Sequence, residues 1–169
     1  MSCLGVLFSL SEKEVKKLKS HKSDTKRLKY LQEDIEETYF EKFPERVAEL
    51  DKSWDGLHRS LTDGKYNWNN GKFPLNHVIL GGELLYKKDD YIMSLKTPEE
   101  VVEIAKAVET ITEDDLRNGY NQIPSDDEDY AEFLSEEDFQ YTWDWFNNSK
   151  EFWKLAAKEN RYVLFTADQ

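Results

Sequence analysis

In a chain of 169 residues with 38% hydrophobic and 14% aromatic side chains, the core must be built from few, large groups. Each Trp, Tyr or Phe buries about 150–250 Å², which excludes wholesale disorder. The net charge of −12 disfavours a role in nucleic-acid binding, because an acidic body repels a phosphate backbone.

The length suits a single domain over residues 1–169. One cysteine, Cys3, cannot form an internal disulfide and suits a reducing compartment. The first residues lack a basic n-region and a long apolar h-region, and no apolar stretch reaches the length of a membrane span. The sequence therefore reads as a soluble, cytoplasmic protein. Its charge is uneven: residues 1–30 carry eight basic and three acidic groups, a local +5 that leaves −17 on the remainder. Such a lysine run fits a solvated helix face.

Taken in order, Cys3–Ser9 is short and apolar, as in a strand buried on both faces. Ser11 with Glu14 forms a capping box that starts a helix. Asp24 is a second N-cap, and Leu28, Leu31, Ile35 and Tyr39 continue at helical spacing until Pro44. Pro44 then opens a helix whose stripe is Val47, Leu50, Trp54, Leu57 and Leu61, at steps of 3, 4, 3 and 4. Asp63-Gly64 stops it, since Gly takes a left-handed turn without a Cβ clash.

Residues 65–73 (KYNWNNGKF) lack any period and read as a loop bearing large aromatics. Leu75–Leu80 reads as one or two helical turns with Gly81 past the end, and Tyr91–Leu95 as a strand. Thr97-Pro98-Glu99-Glu100 starts a helix, and Thr112 caps a shorter one ending near Gly119. Ser125–Asp138 holds eight acidic residues and no basic one, the profile of a mobile, partly docked segment. Glu136–Glu159 is helical, in one piece or broken near Asn147-Asn148, and Arg161–Ala167 closes the chain as a strand. The fold class is α+β, with a small mixed sheet of these three strands covered by helices.

The stretch from Val47 to Leu85 concentrates the chemistry, with two of the three histidines and five of the seven glycines. Asp51, Asp55 and His58, at i, i+4 and i+7, fall on one strip of the expected helix. Two carboxylates and an imidazole there suit a divalent cation or a base with an orienting acid. The plainer alternative is a boundary histidine hydrogen-bonded to a neighbour, and no HExxH-type spacing supports a metal. Gly81-Gly82 lacks the context of a phosphate loop and reads as a tight turn. Cys3 in a buried strand argues against a reactive thiolate, and no Ser stands in a GxSxG elbow. No catalytic residue, metal site or cofactor is assigned.

Three motifs in order, LDKSWDGLHRSLT, PLNHVILGGELL and LKTPEEVVEIAKAV, resemble the YfbM-like family of small bacterial proteins of unknown function. FWKLAAKENRYVLF extends the resemblance nearly to the C-terminus. The resemblance implies one α+β domain, a bacterial cytosolic setting and no established reaction, and it carries over no catalytic residue.

Two functional classes fit. One is a binding protein whose acidic surface, represented by Asp126, Asp127, Glu128 and Asp129, engages a basic protein partner in a regulatory or neutralising role. The other is an enzyme or small-molecule-binding domain with its pocket near Trp54, Asp55, His58, Trp68, Gly81 and Gly82. The first is favoured because the charge imbalance is legible and a catalytic constellation is not.

Overall fold

Five strands, β1 (Gly5–Leu10), β2 (Val47–Asp51), β3 (Glu83–Leu84), β4 (Tyr91–Lys96) and β5 (Tyr162–Asp168), form one sheet in a computed structural model that describes residues 3–169. Their order is β2-β1-β5-β4-β3, and every pairing among the described residues is antiparallel rather than mixed. The reason lies in the crossovers. The helices between β4 and β5 return the chain to the end it left, so Lys96 pairs with Val163, just as Leu10 pairs with Tyr162. The sequence displays the helices but not the number of times they traverse the sheet.

Both sheet faces are covered over the central strands β1, β5 and β4, which are therefore largely apolar, with successive side chains entering different cores. Phe8, Met93 and Leu164 pack under the helices α1 (Glu12–Ser20), α2 (Asp24–Tyr30) and α3 (Glu37–Lys42), the last two joined by a π-helical turn over Leu31–Glu36. Leu7, Ile92 and Phe165 face the opposite core. That layer comprises α4 (Trp54–Leu61), α5 (Pro98–Thr110), α6 (Glu113–Tyr120), α7 (Glu136–Asn148) and α8 (Lys150–Lys158). The α+β class holds.

Capping boxes form at Ser11, Thr97 and Thr112, each satisfying two orphan amides of its helix. The cap of α2 is Ser23 rather than Asp24; Asp24 instead accepts the backbone N–H groups of Lys87 and Lys88 at 3.1 Å. The long C-terminal helix breaks at Ser149, beside Asn147-Asn148.

The single stripe from Val47 to Leu61 does not exist. Residues 47–51 form β2, where Ala48 and Leu50 are buried at the two-residue period of a strand. The helix starts only at Trp54, and the helical spacing of Val47 and Leu50 is a coincidence of pattern. Gly64 does provide the left-handed stop (φ +88), its N–H donating to the Arg59 carbonyl at 2.9 Å. Leu75–His77 is a short 3-10 turn, and the positive φ beyond it belongs to Gly82 (φ +125) rather than Gly81.

Helix α6 crosses α4 so closely that a Cβ on Gly119 would lie 1.8 Å from the Ser60 carbonyl oxygen. Helix propensity alone favours Gly119→Ala by about 1 kcal/mol. The backbone collision opposes it, and we expect a net loss of about 1–3 kcal/mol in a denaturant titration. Unchanged or increased stability would refute this close approach.

Candidate functional site

Helices α4 and α7 and two loops build an aromatic cleft of about 640 Å³ against the end of the sheet. Trp54, Tyr66, Tyr130, Phe133 and Tyr141 line its walls, and Asp55, Arg59, Asp129 and Asp138 supply most of its charge. The Trp54 indole N–H donates to the Cys3 carbonyl at 2.8 Å, and its ring packs on Phe165 at 5.7 Å, so this wall is fixed by β1 and β5.

The base of the cleft is organised by Arg59, whose side chain is 1% exposed. Its Nε donates to Asp55 Oδ1 at 2.7 Å, one turn back on α4, and its Nη1 to Asp127 Oδ2 at 2.8 Å. The guanidinium also lies over the Tyr130 ring at 5.1 Å and the Tyr66 ring at 5.9 Å. The two carboxylates respond differently. Burial raises the pKa of Asp55, and the hydrogen bond and charge of Arg59 offset this only in part. For Asp127 burial also opposes ionisation, but Arg59 and the amides of Asp129 and Tyr130 outweigh it and lower the pKa.

These contacts dock the acidic run that the sequence suggests is mobile. Asp127 Oδ1 accepts the N–H groups of Asp129 and Tyr130 at 3.0 Å, folding the segment back on itself. Tyr130 is buried, and its hydroxyl donates to Asp138 Oδ2 at 2.8 Å, as Tyr120 does at 2.7 Å. Room for that phenol exists because residue 56 is glycine: a Cβ there would meet the Tyr130 hydroxyl at 2.1 Å. Asp126, Glu128 and Asp129 remain exposed, Asp129 at the cleft, whereas Asp127 is committed to Arg59.

His58 lies behind the cleft, fully buried. Its Nε2 is 2.9 Å from both the Asn67 carbonyl and Asn70 Oδ1. The Asn70 amide nitrogen donates to Thr62 Oγ1, Asp63 Oδ1 and the Lys65 carbonyl, which fixes the orientation of its oxygen. Two acceptors therefore face Nε2, so Nε2 carries the proton and the buried Nδ1 is left without a partner. Protonation would place a second proton where nothing accepts it. Burial accordingly lowers the His58 pKa, the bonds to Asn70 and Asn67 work the other way, and the Lys96 charge lowers it further.

The expected strip of Asp51, Asp55 and His58 is absent. Asp51 ends β2 with φ +50, Asp55 faces the cleft, and His58 ties down the loop over residues 65–73. No group of three or more metal-ligating side chains occurs among the described residues. Trp68 lines an adjoining cleft of about 340 Å³ that shares Tyr66 and Gln169 with the first. Gly81 and Gly82 line neither cleft: they pack against His77 and the Leu95 carbonyl and serve the turn into β3. His77 also gains a partner remote in sequence, Glu100, at 3.1 Å.

Sequence reasoning missed Arg59, Tyr66, Tyr130, Phe133, Asp138 and Tyr141. The i, i+4 spacing of Asp55 and Arg59 offered a signal for the first. Tyr66, Tyr130 and Phe133 come from segments without periodicity, and although Asp138 and Tyr141 lie on α7, nothing local aims them at this cleft.

A family described as a domain of unknown function, DUF1877, matches residues 1–166. The chain belongs to this family. Among solved structures, this DUF1877 chain is similar to YfbM from Escherichia coli, described as a protein of unknown function. The two share 19% sequence identity with a TM-score of 0.68, covering 97% of this chain and 99% of that one. That likeness establishes the shared fold. No curated protein matches. Among the described residues, no helix is long and apolar enough to cross a membrane.

A base with a depressed folded-state pKa binds fewer protons when folded than when unfolded, so stability rises with pH between the folded value and about 6.5. Wild type should therefore lose stability as the pH falls below about 6.5, and His58→Gln should flatten that loss while costing on the order of 1–2 kcal/mol at neutral pH. Denaturation midpoints across this range read both effects. Identical slopes in the two proteins would show that His58 does not titrate as described.

Proposed function

We propose that this DUF1877 protein is a binding domain whose aromatic cleft receives an organic cation, a protonated amine or a guanidinium presented by a basic partner. The observation that carries the reading is the coincidence of aromatic walls with the carboxylates Asp129 and Asp138, neither of them paired with Arg59, around one cavity. Ring faces attract cations by about 0.5–2 kcal/mol each when the site is desolvated, and a nearby carboxylate adds charge-assisted hydrogen bonds. The Arg59 charge does not spoil this preference, because Asp55 and Asp127 already neutralise it. The exposed Asp126 and Glu128 precede the cleft-lining Asp129 on the same segment, where they would speed the approach of a basic partner. These features support the acidic binding protein over the enzyme.

The test uses arginine amide and tetramethylammonium as cations and benzamide as a neutral ring, titrated calorimetrically. The cations should bind and benzamide should not. Phe133→Ala and Asp129→Asn alter exposed residues, so the fold should survive, and each should weaken cation binding roughly threefold to tenfold. Preferential binding of benzamide, or cation affinity indifferent to both variants, would overturn the proposal.

A further inference from the structure

The aromatic cleft does not end at Tyr66. That residue and Gln169 also line the second cleft, which continues past Trp68 and Tyr86 to Lys87 and Lys88, with Asp89 the one acidic side chain among the described residues on its wall. These two lysines in turn line a third, open cavity of about 410 Å³ together with Lys22 and Arg27. Three cavities thus adjoin in series, each sharing residues with the next.

The charge changes sign along this series. The first cavity holds Asp55, Asp129 and Asp138 against Arg59, which Asp55 and Asp127 pair, and Lys52 at its edge, so its balance is negative. At the far end, Lys22, Lys87 and Lys88 are exposed, and among the described residues none of them lies within ion-pair distance of a carboxylate. Asp24 is the nearest anion in that cavity, and its oxygens are occupied by the amides of Lys87 and Lys88. The lysine-rich run of residues 1–30 therefore contributes to a basic end on a molecule whose remaining charge is strongly negative.

We infer that the three cavities form one groove for an extended peptide, with a basic side chain in the aromatic cleft and an acidic group seated at Lys22, Lys87 and Lys88. The inference rests on the cation reading of the first cleft and extends it to the class of ligand. Charge complementarity at both ends selects one orientation of the peptide, since reversal places like charges together at each end. Between the ends, Tyr66, Trp68 and Tyr86 line the second cleft and give an extended backbone an aromatic surface to lie on.

The test compares acetyl-arginine amide with acetylated peptides that join arginine to aspartate through a graded series of alanine spacers. One spacer length should bind at least about tenfold more tightly than acetyl-arginine amide, because the second contact becomes intramolecular. The paired substitution Lys87→Glu, Lys88→Glu should abolish that gain and leave acetyl-arginine amide binding unchanged. These side chains are exposed, and Asp24 binds their backbone amides, so the fold should tolerate the change. If no spacer improves on acetyl-arginine amide, or the lysine reversal leaves the gain intact, the groove is refuted while the cation site stands. If acetyl-arginine amide itself fails to bind wild type, the cation site is refuted and the groove falls with it.

Discussion

A guanidinium withdrawn from water is the constraint on which the cleft depends. Arg59 is almost fully buried, and an unpaired charge in that position would cost several kcal/mol. Two carboxylates and two ring faces offset that cost, and they come from separate parts of the chain: Asp55 from the same helix, Asp127 and Tyr130 from the acidic segment, Tyr66 from the loop after α4. Satisfying one buried cation therefore forces three segments together. The bridge to Asp127 holds the acidic segment in place, which sets Tyr130, Phe133 and Asp129 as one wall of the cleft.

His58 does the equivalent work on the opposite wall. Its single proton is shared between Asn67 and Asn70, and Asn70 spends its amide on three acceptors in the chain just before it. A loop with three Asn and no period thus acquires a defined shape, and Tyr66 and Trp68 become lining residues instead of loose surface aromatics. Successive residues of one short helix, His58 and Arg59, anchor the two loops between which the cleft opens. The histidine of the conspicuous sequence motif is a fastener for the site and lines none of it.

Much of the fold is legible because local rules agree there. Ser11, Thr97 and Thr112 begin helices since a hydroxyl followed by an acid at the third position satisfies orphan amides without help from elsewhere. The strands at β1, β4 and β5 show as short apolar runs because both sheet faces are covered. β2 is misread because Val47 and Leu50 serve opposite faces of a strand while mimicking helical spacing. The site is less legible still. Trp54, Asp55 and Trp68 are visible as candidates, but Tyr130 and Asp138 reach the cleft only through tertiary contacts with Gly56 and Tyr120. An acidic run reads as mobile when its counter-charge, Arg59, lies 68 residues away.

The most direct measurement is amide hydrogen exchange over residues 125–134 in wild type, Asp127→Asn and Asp126→Asn. Asparagine at position 127 keeps the oxygen that accepts the amides of Asp129 and Tyr130 but loses the charge that pairs with Arg59. With Arg59 as the latch, exchange in this segment should accelerate at least about tenfold in Asp127→Asn, corresponding to a local loss of about 1.4 kcal/mol, while β1, β4 and β5 stay protected. Asp126→Asn, at an exposed position, should match wild type. Equal exchange in all three proteins, or acceleration spread evenly over the sheet, would contradict the role given to the buried guanidinium.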